Sequence, residues 1–395
     1  MQNPVKNPTI CLFSDTVCDA NGVSRFIQDL ASSSEEGSLY VITSTNKSYC
    51  KKLDNIINIK PIFKTGMPYY KELDIAIPNY FELKKRATII NPDIVVISTP
   101  GPIGMMGLRI ANRLKAKKVA IYHTDFPSYM YDNTKSRFIE KGTTKFMRYF
   151  YKQFERVYSR SNEYYSTLLN DIKVPEDRLF VLKAGIDTKS FHMKYKEEAF
   201  WQNYEIDVES IKLLYVGRLT KEKNFPFLLE IWDELREKSS KKIELICCGE
   251  GKILEKKEEL KSRGIHLLGY KGGEELSKIY ANSDIFLFPS VTDTLGQVVM
   301  EAQASGKPAI VSNIGGPKTI VRDGESGYCI EVEKNIWLQK IAELVDDEQK
   351  RVSMGKEGFN SMQGKSFEIT YEDFKNLNME ILKNEGFMIQ SKQIS

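Results

Sequence analysis

The sequence predicts an α/β chain of two consecutive doubly wound domains, each a parallel sheet covered by helices. Three observations predict it. Short apolar runs alternate with amphipathic helical patterns along the chain, the mark of βα units. These runs fall into two series, separated by a polar stretch at 192–209 with no apolar periodicity beyond Phe200-Trp201. At 395 residues, the chain also exceeds what one ordinary core organises.

In the first series, residues 9–14 read as the opening strand, and Asn21-Gly22-Val23 leads into a helix over 23–31. Strands at 39–43, 94–98 and 119–123 follow. The second series opens at 211–216 and continues at 243–247, 266–268, 285–288 and 309–311. The predicted limits are 1–190 and 211–366 for the two domains and 191–210 for a linker. A helical stretch at 367–382 and a tail complete 367–395. Doubly wound domains present ligands at the carboxyl ends of their strands, here in the cleft between the two.

With 41% hydrophobic and 28% charged residues, the composition excludes a disordered or collagen-like chain. No apolar run reaches the roughly eighteen residues of a membrane span, and MQNPVKNPTI lacks the apolar core of a signal peptide. The expectation is a cytoplasmic protein. Cys11, Cys18, Cys50, Cys247, Cys248 and Cys329 lack metal-ligand spacing, and Cys247-Cys248 reads as small apolar residues within a strand. Three histidines make a multi-histidine metal site a poor reading. Residues 1–190 carry 28 basic and 19 acidic side chains, a net of +9, while the remainder carries 29 and 34, a net of −5. Such a front half is suited to an anionic partner.

The densest chemical signal is Phe288-Pro-Ser-Val-Thr-Asp-Thr-Leu-Gly-Gln-Val-Val-Met-Glu301, running into Ala-Gln-Ala-Ser-Gly-Lys-Pro308. Pro289 stops a buried-type strand, a polar loop carries Asp293 and Thr294, and a helix runs from Gly296 to about Ser305. Amides of Leu295, Gly296 and Gln297 lie at the positive helix end, where a phosphate binds. Asp293 and Glu301 flank that anion site, which suits hydroxyl-rich sugars joined by a diphosphate.

Val216-Gly-Arg-Leu-Thr-Lys-Glu-Lys-Asn224 follows the first strand of the second domain. Gly217 permits a tight exit, and Arg218 and Lys223, with Lys221 as an alternative, can converge on phosphate oxygens. Fixed cations there can stabilise developing phosphate charge without a divalent metal, and no Asp-x-Asp stands at a strand end. In the first domain, Gly22 reads either as a plain turn or as a place where backbone approaches a phosphate. His123 closes an apolar strand, either as a satisfied structural histidine or as a group presented to a ligand.

These motifs together resemble the retaining glycosyltransferases of family 4, the glycosyl transferases group 1. The Thr-Asp-Thr-x-Gly wording is similar to the mannosyl- and sulfoquinovosyl-type members. The resemblance implies a GT-B fold, with two Rossmann-like domains facing a central cleft and a last helix packing back on the acceptor-binding first domain. It implies transfer of a sugar from a UDP- or GDP-linked donor to an acceptor hydroxyl, on a sugar, glycan or lipid, with no cofactor required. It assigns diphosphate neutralisation to Arg218 and Lys223, ribose to Glu301, sugar hydroxyls to Asp293, and the oxocarbenium-like centre to His123. His-Thr-Asp-Phe-Pro-x-Tyr, from His123 to Tyr129, carries the last of these, with Asp125 orienting the imidazole or meeting acceptor hydroxyls. Asn-Gly-Val places Gly22 beside the donor, and Gly269-Tyr270-Lys271 corresponds to the loop against the nucleobase. Gly249-Glu-Gly251, Gly315-Gly-Pro317 and Asp323-Gly-x-x-Gly327 read as turns. A nucleotide-sugar 2-epimerase of the same fold and a non-catalytic sugar-nucleotide binder are the alternative readings.

Residues 135–158 interleave Lys135, Arg137, Lys141, Lys145, Arg148, Lys152 and Arg156 with Phe138, Phe146, Met147, Tyr149, Phe150, Tyr151 and Phe154. That mix fits either peripheral contact with an anionic membrane, at its inner face, or an amphipathic helix packed on the sheet. No nucleic-acid-binding module accompanies the charge.

Overall fold

The computed structural model describes residues 7–19, 21–47, 53–67 and 70–393; Cys50 and the first six residues of MQNPVKNPTI lie outside the described residues. The chain separates into two units, Met1–Ala184 with Phe367–Ser395, and Gly185–Ser366.

The first unit runs β1 (Ile10–Phe13), α1 (Gly22–Ser33), β2 (Leu39–Thr43), β3 (Ile56–Asn58), β4 (Pro61–Met67), β5 (Tyr70–Pro78) and α2 (Tyr80–Ile90). It continues with β6 (Ile94–Ile97), α3 (Pro102–Leu114), β7 (Lys117–Tyr122), α4 (Phe126–Thr134), α5 (Arg137–Tyr151), β8 (Arg156–Ser159), α6 (Glu163–Asn170) and β9 (Leu179–Val181). Seven strands form one sheet in the order β3-β2-β1-β6-β7-β8-β9, while β4 and β5 make a separate antiparallel pair. Its neighbouring strands pair in parallel, and the central ones are apolar on both faces. In β1, Cys11 and Phe13 enter one core and Ile10 and Leu12 the other, the two-residue period of a strand covered on both sides.

Strand order reverses between β1 and β6, and the loops leaving them meet. Asp15 is held there, accepting from Thr99 Oγ1 (2.6 Å), Ile103 N (2.8 Å) and Gly104 N (3.3 Å) at the amino end of α3. Burial pushes this carboxyl above the usual carboxylate range, while those donors pull it back.

The second unit runs β10 (Ile211–Val216), α7 (Phe225–Lys238), β11 (Ile243–Cys248), α8 (Lys257–Lys261), β12 (Ile265–Gly269), α9 (Gly273–Asn282) and β13 (Ile285–Phe288). Then come α10 (Gln297–Ala304), β14 (Ala309–Ser312), β15 (Gly327–Ile330), α11 (Lys334–Asp346) and α12 (Glu348–Met362). The sheet order is β12-β11-β10-β13-β14-β15, so here the reversal lies between β10 and β13. The last helix, α13 (Phe367–Gln393), belongs to the first unit, where Phe367 and Phe374 join the core containing Phe26. Tyr371 Oη lies 2.7 Å from Ser38 Oγ.

Two expectations need correction. Residues 191–210 do not form a bare linker: they cluster with the second unit, as do 185–190. Phe200 and Trp201 are buried in a short helical turn, and Trp201 Nε1 donates to Asn282 O at 2.7 Å. Two aromatic anchors do this without any repeating pattern. The 135–158 stretch is also not one helix, because Lys135 caps α4, α5 ends at Tyr151, and Arg156 and Tyr158 lie buried in β8. Helix α5 buries Met147, Phe150 and Tyr151, and turns Phe138, Phe146, Tyr149, Lys141, Lys145 and Arg148 outward. The helix therefore has a buried apolar face and an exposed face that mixes basic and aromatic side chains. Among the described residues, no helix is long and apolar enough to cross a membrane.

Candidate active site

The second unit's site starts from its topology. Because β10 and β13 are neighbours whose following helices diverge, the loops 217–224 and 289–296 meet at the carboxyl edge of the sheet. Gly217 leaves β10 at φ +153°, and Tyr215 Oη donates to Arg218 O at 2.8 Å, fixing the turn that presents Arg218. Arg218 Nη2 lies 2.6 Å from Glu222 Oε2, and Lys223 Nζ lies 3.0 Å from Asp293 Oδ1 and 3.5 Å from Glu222 Oε1. Ser290 Oγ donates to Asp293 Oδ2 at 2.5 Å. Arg218, Lys223 and Asp293 are thus drawn into one network across the two loops.

The loop is held from its other side as well. Gly316 N donates to Asp293 O at 2.7 Å, and a Cβ on Gly316 would fall 2.2 Å from Thr294 O. Gly296, at φ +82°, abuts Pro317, where a Cβ would meet Cγ at 2.7 Å. These contacts set the backbone of Thr294, Leu295 and Gly296 at the amino end of α10, whose N-cap is Gly296. The turn read at Gly315-Gly-Pro317 is therefore a clamp on the loop. Glu301 lies within α10 and is buried.

Gly269 ends β12 at φ +71°, and Gly249 N donates to its carbonyl at 2.8 Å, placing Tyr270 and Lys271 on the same edge of the sheet. Tyr270 is exposed, while Lys271 Nζ lies 2.6 Å from Glu275 Oε1.

The remaining predicted residues lie in the first unit. His123 follows β7 and is buried, with Nε2 2.8 Å from Ser98 Oγ and its ring 5.5 Å from that of Phe26. Arg160 follows the adjacent strand β8, its guanidinium 3.5 Å from the Phe26 ring centroid. Its Nε and Nη1 are buried without a hydrogen-bond partner among the described residues, and burial pushes its pKa down to about 9. Burial first, then the Arg160 charge, hold the His123 imidazole well below its ordinary pKa, so it is neutral at pH 7. Asp125 caps α4, accepting from Ser128 N (3.4 Å) and Ser128 Oγ (2.7 Å). Gly22 is the first residue of α1, after the Asn21 cap, and the space where a Cβ would stand is open.

Sequence reasoning missed Glu222, Ser290, Arg160 and the Gly316-Pro317 clamp. Glu222 sat in plain view, four residues after Arg218 and next to Lys223, but its spacing alone does not show that its carboxylate pairs with both.

Two family models match this chain: the one described as Glycosyltransferase Family 4 over residues 20–190, and the one described as Glycosyl transferases group 1 over residues 196–361. Among curated relatives, the sulfoquinovosyl transferase SQD2 of Arabidopsis thaliana is 28% identical over 297 residues, covering 73% of this chain and 57% of the relative. A GDP-mannose-dependent alpha-mannosyltransferase of Corynebacterium glutamicum is 26% identical over 283 residues, covering 70% of this chain and 65% of the relative. The match thus spans under two thirds of either relative's length. In fold, the chain is similar to a glycosyltransferase from Rickettsia africae ESF-5, with a TM-score of 0.74, 19% identity, and coverage of 96% of this chain and 100% of that one. The neighbour shares the GT-B architecture expected from the motifs.

Proposed function

The chain belongs to the glycosyl transferases group 1, of family 4 and GT-B fold, and from that premise we propose that it moves a sugar from a UDP- or GDP-linked donor to an acceptor hydroxyl with retention of configuration. The observation that carries the reading is the junction of Arg218, Lys223 and Asp293 beside the amino end of α10. Two cations and a helix end offer a diphosphate its hydrogen bonds and its counter-charge. In this reading Glu301 accepts from the ribose hydroxyls, Asp293 from those of the sugar, and the loop at Gly269, Tyr270 and Lys271 covers the nucleobase. Backbone at Gly22 approaches the donor from the first unit.

The glycosidic C–O bond to the phosphate breaks as the acceptor oxygen bonds on the same face, and a phosphate oxygen takes the acceptor proton. Neutral His123 supports the developing positive carbon, and Asp125 stands near the acceptor. Arg218 and Lys223 stabilise the departing diphosphate in the place of a metal.

Calorimetry with UDP and GDP tests the donor site. Arg218→Ala and Glu301→Gln are each expected to cost about 1.5–3 kcal/mol of nucleotide binding. Unchanged affinity in both sinks the assignment. Transfer is expected to persist in excess chelator; loss restored by magnesium would show that the cations do not suffice.

The outward face of α5 supports peripheral contact with an anionic bilayer, with Phe138, Phe146 and Tyr149 at the interface and Lys141, Lys145 and Arg148 near lipid phosphates. Each charge contributes about 1 kcal/mol there. Salt-sensitive co-sedimentation with anionic vesicles, reduced by Lys141→Glu with Lys145→Glu, is the expected result; no binding to any vesicle rejects it.

A further inference from the structure

Arg218 and Lys223 share a carboxylate that the donor-site reading does not use. Glu222 stands between them, 2.6 Å from Arg218 Nη2 through Oε2 and 3.5 Å from Lys223 Nζ through Oε1. The same Arg218 nitrogen also reaches Oε1 at 2.9 Å. The three side chains are only 14–17% exposed, so solvent and salt screen them far less than a surface pair. Asp293, the other acid of the network, is fixed by Ser290 Oγ and through its carbonyl by Gly316. The Glu222 carboxylate is held by the two cations themselves.

We propose that Glu222 is an internal competitor of the diphosphate, a residue that sets how tightly the leaving nucleoside diphosphate is held and how fast it departs. This rests on the donor-site reading above. Diphosphate oxygens and the Glu222 carboxylate claim the same N–H groups of Arg218 and Lys223. Binding therefore exchanges one set of ion pairs for another, at the expense of a negative charge left beside the phosphates. When transfer is complete the exchange runs backward: Glu222 re-pairs with both cations and the product leaves. Without Glu222 the cations would hold the product more firmly, because the carboxylate that pairs with both of them would no longer compete.

The test uses Glu222→Gln, which keeps the size and removes the charge, with inorganic pyrophosphate as probe and UDP and GDP in the same calorimetric series. Removing one charge from a partly buried site is expected to tighten pyrophosphate binding roughly tenfold, an effect that shrinks with added salt. Dissociation of the nucleoside diphosphate is expected to slow in parallel, and product inhibition to deepen. Glu222→Ala, which removes the charge and the amide's own hydrogen bonds, should shift in the same direction. Equal or weaker pyrophosphate binding in both variants overturns the proposal and makes Glu222 a residue that positions the cations. Failure of wild type and variants to bind pyrophosphate at all also overturns it. Tighter pyrophosphate binding in the variants, with no binding of UDP or GDP, supports the competition and defeats the nucleotide reading alone.

Discussion

Replacing Gly249 by alanine is expected to destabilise the second unit by about 3 kcal/mol or more, since backbone strain and overpacking each cost about 1–3 kcal/mol. Gly249 leaves β11 at φ +152°, where an L side chain is strained, and its added Cβ would fall 1.9 Å from the carbonyl oxygen of Gly217. Both colliding atoms belong to rigidly hydrogen-bonded backbone: Gly217 N donates to Cys248 O and Gly249 N to Gly269 O. No rotamer change relieves the contact. The loop that gives way is the one carrying Arg218, so nucleotide binding should fall with stability. Trp201, Trp232 and Trp337 all lie in the second unit, so tryptophan fluorescence in a urea titration reports this unit. Gly22→Ala, where no atom lies within 4 Å of the new Cβ, serves as the neutral control. An unchanged urea midpoint for Gly249→Ala would refute the close approach of these two loops.

The second large effect is expected at His123. Its replacement by alanine should lower turnover by about a hundredfold or more while donor affinity changes little, as for a group engaged mainly in the transition state. Near-normal turnover in a folded variant would make His123 a structural residue. Its titration supplies a further check. The folded-state pKa is depressed by burial and by Arg160, so between that value and the unfolded pKa of about 6.5 only the unfolded chain takes up the proton. Stability is therefore full above that pH and falls as the solution is acidified, by up to about 1.4 kcal/mol per pH unit for this residue. His123→Gln should flatten that part of the acid slope in unfolding measured from pH 7 to pH 5. An equal slope in both proteins would show that His123 titrates normally.

The central strands were legible because they are apolar on both faces, and their order along the chain alternates with helices. The strands β3, β8, β9 and β15, of three or four residues, were not, and the β4–β5 pair escaped because Ile62 and Phe63 face solvent and give no alternating signal. Asp293, Glu301, Arg218 and Lys223 could be named because each stands in a motif whose loop follows a readable strand. What brings Lys223 to Asp293 is the adjacency of β10 and β13, with 70 positions between the two residues. Partners defined by such adjacency, Gly316 among them, leave no local trace. Asp125 shows the opposite limit: its place in a motif was visible, but not that its carboxylate caps α4.

The two units share an architecture but differ at the strand reversal of each sheet. At the strand reversal of the second unit, the N-cap of α10 is Gly296, which brings no side chain of its own to the helix amides. At the corresponding reversal of the first, Asp15 already takes the amides of Ile103 and Gly104 at the start of α3. A phosphate approaching α3 would meet a like charge and amides already engaged. The chain thus supplies its own tenant to one of two similar berths, and a phosphate offered to both reversals is expected to settle at the second.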